Sequence, residues 1–325
     1  MLITRQDFLR GGAALGLAAA SGVSPAFAQQ YPSRDIHFIC GFPPGSGADI
    51  FARYFAEKFR VIAGQNVIVE NRVGANSNIA TEYIARSKPD GHTLYPFAGT
   101  TVAATMHLFK KPPVDVGKTI QVAATTSNLA FMLMVDPKSP YKTAQELTEA
   151  MKKKGSSASY ATAANPGVIM GALYKKATGI EAVDVSYRTA PDSLPELQSG
   201  KLDFAFHDPI FALAQQREGR ARILAVSSSE RLQSAPDVPT MTEIGVPMGL
   251  DIWWGVMLAA GTPRPIVDRI NAMFGEILKT EDARKFLALS GADPMIRTPD
   301  EAQAMFLKAI DEWGDYVKLA NIPQN

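Results

Sequence analysis

IHFICGFPPGSGADIFARYFAEKF, residues 36–59, sets a short apolar run against a segment of helical period, with a glycine- and proline-rich loop between them. The run Ile36 to Cys40 has the length and composition of a buried strand, and 49–59 carries the spacing of an amphipathic helix. Working outward, VIVE (67–70) reads as a strand, 78–87 as a helix stopped by Lys88-Pro89-Asp90-Gly91, and TLYPF (93–97) as a strand. Strands separated by helices predict parallel pairing in a layered α/β sheet. A second series follows. FMLMV (131–135) leads to a helix ending at Lys154, for which Thr143 and Glu146 predict a capping box. SYAT (159–162), a helix over 168–178, AVDVSY (182–187), a short helix over 193–198, DFAF (203–206) and RILAVS (222–227) complete it. The chain closes with WWGVMLA (253–259) and two periodic helices, 265–278 and 299–320, the latter opening with Thr298, Pro299 and Glu301. Two α/β lobes joined by crossing strands are therefore expected, with binding in the cleft between them.

Length and composition agree with two lobes and narrow the function. Single cores stop growing near about 250 residues, and this chain has 325. With 33 Lys and Arg against 32 Asp and Glu, it has no net field to draw in nucleic acid or an anionic membrane. The lysine runs at 110–111 and 152–154 read as loop faces and helix ends. Cys40 is the single cysteine, so no internal disulfide can form, and its apolar setting predicts an inert buried thiol. No CxxC, HExxH or spaced acidic cluster occurs, and no cofactor is expected. The first residues read as an export signal: a charged start, an apolar centre over 11–20 and Ala26-Phe27-Ala28, with cleavage after Ala28. That centre is too short to span a membrane. Residues 4–10 resemble a twin-arginine signal, but Gln6 stands where the second arginine belongs, so the export route stays open.

The loop FPPGSGAD fails three catalytic or cofactor motifs on spacing. A Walker loop needs a lysine that is absent, a dinucleotide fingerprint needs a glycine where Ile50 stands, and a serine-hydrolase elbow needs glycines where Pro44 and Ala48 stand. Two readings remain open. Backbone N–H groups at the helix start can hold an anion, or Pro43-Pro44-Gly45 turns the chain and Asp49 caps the helix.

Nearly all of the chain after the signal resembles the periplasmic substrate-binding proteins of tripartite tricarboxylate transporters, also called Bug receptors. The resemblance is carried by Tyr31-Pro32-Ser33-Arg34, FPPGSGAD, VIVENRVGANSNIA (67–80), KPDGHTL (88–94), LQSGKLDFAF (197–206), RILAVSSSERLQSAPDVPTMTEIGVP (222–247) and AAGTPRPIVDRIN (259–271). It implies a two-lobed periplasmic binding-protein fold, each lobe a mostly parallel sheet flanked by helices. The lobes close over a small organic carboxylate, a dicarboxylate, tricarboxylate or aromatic acid, without chemistry. It further implies a monomer that delivers its ligand to membrane subunits of the transporter. In such proteins the first strand-to-helix loop holds the carboxylate, which falls here on Phe42, Pro43, Gly45, Ser46, Gly47 and Asp49. The next contacts fall on Thr100 and Thr101, and in the second lobe on Thr162, Ala163, Asn165 and Gly167, then Arg188, His207 and Asp208. The chain departs from the usual pattern at Ala164-Asn165-Pro166, at His207 where an aspartate is common, and at Arg188 where a lysine is usual. The expected division is a signal over 1–28, a first lobe of 29–126 with 255–325, and a second lobe of 127–254.

Some positions carry alternatives. His207 is either a polar contact in the cleft or a histidine satisfied within its lobe, and Asp208 either orients it or caps the helix starting at Pro209. Arg188 is either a partner for a second ligand carboxylate or a surface arginine. Trp253 and Trp254, adjacent on a strand, point to opposite faces. Against the transport receptor stand a receptor presenting its ligand to a membrane sensor, and a hydrolase or isomerase using His207 and Asp208 with Ser46.

Overall fold

The structure, a computed structural model, describes residues 31–187 and 189–324. The expected signal and its cleavage point lie outside them, as does Arg188.

Eleven strands are present in the described residues: β1 (Ile36–Cys40), β2 (Val67–Asn71), β3 (Thr93–Ala98), β4 (Ile120–Leu129), β5 (Met132–Val135), β6 (Ser159–Thr162), β7 (Val183–Ser186), β8 (Phe204–His207), β9 (Arg222–Val226), β10 (Ile252–Ala259) and β11 (Ala292–Pro294). They form two sheets, ordered β11-β4-β10-β3-β1-β2 and β7-β6-β8-β5-β9. β1 pairs in parallel with β2 and β3, whereas β10 runs antiparallel between β3 and β4. In the second sheet β6 pairs in parallel with β7 and β8, and β5 runs against β8 and β9. Strand direction is thus mostly shared within each sheet, and the reversed strands make both sheets mixed.

The chain enters the second sheet between Leu129 and Met132 and returns between Val226 and Ile252. Residues 127–129 and 252–254, given to the second lobe on sequence grounds, pair within the first sheet. With β11, β4 is a strand the sequence reading missed. Its stretch Thr125-Thr126-Ser127-Asn128 has the composition of a loop, yet it is buried along most of its length between β10 and β11. Nor did the sequence predict helix Gly99–Leu108, because Thr100, Thr101 and Val102 are β-branched and its N-cap, Ala98, offers no capping side chain.

Helices cover the sheets because their apolar stripes match what the strands present. The helix Gly47–Ala63 buries Phe51, Phe55 and Phe59. Phe59 lies 5.6 Å from Phe38 of β1 and 5.1 Å from Phe274 of the helix Arg264–Lys279. Burying each such ring stabilises by about 1.5–3 kcal/mol. The helix Pro299–Leu319 has the expected capping box between Thr298 and Glu301 and packs on β4, on helix Gly99–Leu108 and on helix Asn165–Thr178 of the second lobe. At the helix Ala144–Lys154 the capping differs from expectation: Thr143 is the cap, but the Glu146 carboxylate accepts from the Lys142 N–H, one residue further back.

Candidate functional site

The loop after β1 is held from within. Ser46 is the N-cap of helix Gly47–Ala63, its hydroxyl accepting from the Asp49 N–H at 3.3 Å. Asp49 is therefore a first-turn residue and not the cap. Its buried carboxylate accepts from the Gly45 N–H at 2.9 Å, Arg53 Nε at 2.9 Å and Asn71 Nδ2 at 2.8 Å. Burial pushes this carboxyl up, but the bonds from Arg53, Asn71 and Gly45 outweigh it and hold it at about 2. Gly45 takes φ +81°, a conformation that suits glycine. The same Asn71 amide donates to the Phe42 carbonyl at 2.8 Å, fixing the loop to the end of β2. The loop is thus a capped turn with Ser46, not Asp49, as the cap, and the Asp49 carboxylate is held by the loop's own Gly45 N–H. Pro43, Gly45 and Gly47 are exposed beside it.

The cleft lies next to this loop and measures about 480 Å³. Phe42 contributes one wall, its ring 5.5 Å from Phe97. Helix Gly99–Leu108 contributes Thr101, Ala104, Thr105 and Leu108, spaced to share one face, and Phe109 follows. Asn78 enters from a tight turn in which Ala75 and Ser77 both take positive φ. Its amide donates to the Ala75 carbonyl at 2.7 Å and accepts from the Thr105 hydroxyl at 3.1 Å. The second lobe supplies Ala164, Asn165 and Pro166, and the C-terminal part supplies Trp313, Ile322 and Pro323. Two helix starts meet here without a side-chain cap: that of Gly99–Leu108, with Ala98 at its N-cap, and that of Asn165–Thr178, with Ala164. Uncapped N–H groups at a helix start favour negative charge, and Pro166 leaves one fewer of them in the second helix.

Several expected site residues are placed elsewhere. Thr100 lines a smaller pocket of about 90 Å³ with Trp253 and Asp251. Thr162 is fully buried and donates to Asp184 at 2.9 Å. Ala163 is half-buried, and Gly167 is buried where an added Cβ would come within 2.8 Å of the Phe206 carbonyl. His207 does not line the cleft. It is buried at 1 % exposure, its Nε2 2.8 Å from the Ser193 hydroxyl, and burial lowers its pKa to about 4. Asp208 caps the helix Pro209–Arg217 through the Phe211 N–H at 3.0 Å, and burial raises its carboxyl. His207 and Asp208 are thus each engaged within the second lobe, by Ser193 and by the Phe211 N–H. Cys40 is buried with a raised pKa, as its setting predicted. Trp253 packs edge-on against Phe306, while Trp254 packs on Phe51 at 4.4 Å, so the pair does divide between faces.

Asn78, Thr105, Leu108, Phe109, Trp313, Ile322 and Pro323 were not singled out from sequence. The one available signal was a buried-looking threonine and leucine at a seven-residue spacing in 101–108, which marks a helix face. Nothing local ties Trp313 or the tail to loops some 200 residues away.

Two mixed α/β sheets, two crossings and a cleft lined from both lobes define a two-lobed binding protein. A profile described as Tripartite tricarboxylate transporter family receptor matches residues 51–322, and the chain belongs to that family. Among curated relatives, it is 28% identical over 306 residues to Protein BugT of Bordetella pertussis, covering 93% of this chain and 94% of that one. Among solved structures, it is similar to that of Rpa4515 of R. palustris with adipate, at 25% identity and TM-score 0.74, covering 91% of this chain and 100% of the other. MatC of Rhodopseudomonas palustris with bound malate is similar at 26% identity and TM-score 0.69, covering 88% of this chain and 100% of the other.

Proposed function

We propose that this protein is an extracytoplasmic receptor that captures a small carboxylate between its lobes and hands it to the membrane subunits of a tripartite tricarboxylate-type transporter. The observation that carries this reading is that one cleft is lined from both lobes by the first turns of two helices lacking side-chain caps, Thr101 of one and Asn165 of the other. Such starts hold an anion through backbone N–H groups without a lysine or a metal. The bound adipate and malate of the two similar structures support a carboxylate as the anion. Phe42, Thr101 and Asn165 are its proposed contacts, with Ser46 and Asp49 setting the shape of the neighbouring loop. In this reading the protein changes no bond in its ligand.

A thermal-shift panel of mono-, di-, tri- and aromatic carboxylates, with product analysis of each hit, tests it. A ligand at about 100 times its Kd adds about 2.7 kcal/mol of stability, expected as a rise in Tm of about 5 °C for a chain of this size. Recovery of the hit unchanged is the second expectation. A panel without any shift, or conversion of a hit, overturns the reading.

A further inference from the structure

Helix Gly99–Leu108 gives the cleft an axis along which polar Thr101 and Thr105 precede apolar Leu108. Thr101 stands at its start and Leu108 at its end, about 10 Å apart at helical rise. Asn78 and Thr105 are joined by a hydrogen bond midway along this face. At the far end, the Gln324 amide donates to the His107 carbonyl at 3.0 Å, which seats the C-terminal tail there. His107 Nε2 also lies 2.7 Å from the Ile310 carbonyl, which brings the helix bearing Trp313 to the same end. Leu108, Trp313 and Ile322 thus gather where the helix terminates. Among the described residues lining the cleft there is no lysine, arginine or histidine.

Resting on the carboxylate reading of this cleft, we infer that it selects an acid with one charged end and an apolar or aromatic body. The carboxylate lies toward Thr101, where the helix start favours negative charge, and the body runs toward Leu108, Trp313 and Ile322. A second carboxylate at the far pole would meet an apolar wall and the negative end of the same helix, and both disfavour it. The volume of about 480 Å³ leaves room for such a body.

Hexanoate and adipate make the decisive pair, since they share a carbon chain and differ by a terminal carboxylate in place of a methyl group. Calorimetric titration is expected to give hexanoate at least about tenfold tighter binding than adipate, the least that an unmatched buried charge implies, with phenylpropanoate in the range of hexanoate. The half-buried tail residue Ile322 supplies the variant. Ile322→Lys is expected to move the hexanoate-to-adipate ratio at least about tenfold toward adipate. Adipate binding as tightly as hexanoate, or an unchanged ratio in the variant, overturns the inference while leaving the carboxylate receptor in place. Failure of every carboxylate to bind overturns both.

Discussion

His207 shows how burial decides between two uses of one residue. Held by Ser193 and packed edge-on against Phe211 at 5.3 Å, it stays neutral in the folded protein down to about pH 4. Its unfolded pKa is near 6.5. The folded value is the lower one, so the unfolded chain binds the proton first and stability falls as pH drops from about 6.5 to about 4. The loss assignable to this group is of the order of 3 kcal/mol. His207→Gln is expected to flatten that part of the stability profile relative to the parent while leaving ligand affinity within about threefold, because the residue does not line the cleft. Urea titrations at several pH values, with one binding titration at neutral pH, check both halves. Sequence placed His207 at the end of a strand, as it is, but facing a crevice, where it is instead buried. It could not reveal Ser193, which reaches the ring from a helix fourteen positions earlier. Asp49 carries the same lesson with opposite sign: its position three residues after Ser46 was legible, but its bonds to Asn71 and Arg53 depend on how β2 lies beside the loop.

At the scale of elements, close approach between helix and strand sets what a position tolerates. Gly167, in the first turn of helix Asn165–Thr178, sits against the carbonyl of Phe206 and the ring of Phe131. Because the nearest neighbour is backbone, it cannot rotate away. Gly167→Ala is expected to destabilise by about 1–3 kcal/mol, read as a lower urea midpoint with an unchanged slope. A shift below about 0.5 kcal/mol would mean that the helix start has room to move. Elements with a strong period or a side-chain cap were legible from sequence: β1, helix Gly47–Ala63 and helix Pro299–Leu319 all appear within a few residues of expectation. Helix Glu281–Leu289 was missed although Thr280 caps it, while two other omissions lack such signals. β4 is buried on both faces and rich in Thr and Ser, so it shows neither alternation nor an apolar run, and helix Gly99–Leu108 has no capping side chain. The second of these omissions mattered for the site, since that helix supplies one long wall of the cleft.

For the whole molecule, the order of strands and helices was sufficient to expect two lobes and a cleft, because alternating elements leave few other arrangements. The lining contributed by the C-terminal helix and tail was not legible, since it arises only when the ends of the chain meet. That helix has an optical consequence. The chain contains three tryptophans, of which Trp253 and Trp254 lie on the returning strand β10 and Trp313 on the cleft wall. Intrinsic emission therefore samples the cleft directly. Trp313 is buried at 3 % exposure and meets the cleft with an edge, so a ligand seated there is expected to change its emission, and Trp313→Phe to remove most of that change while the protein still melts cooperatively. If the variant keeps the full spectral response, the signal originates at β10 and the ligand does not reach Trp313. The receptor thus carries its own fluorophore at the place where its cargo would rest, so that occupancy can be followed by light without any added label.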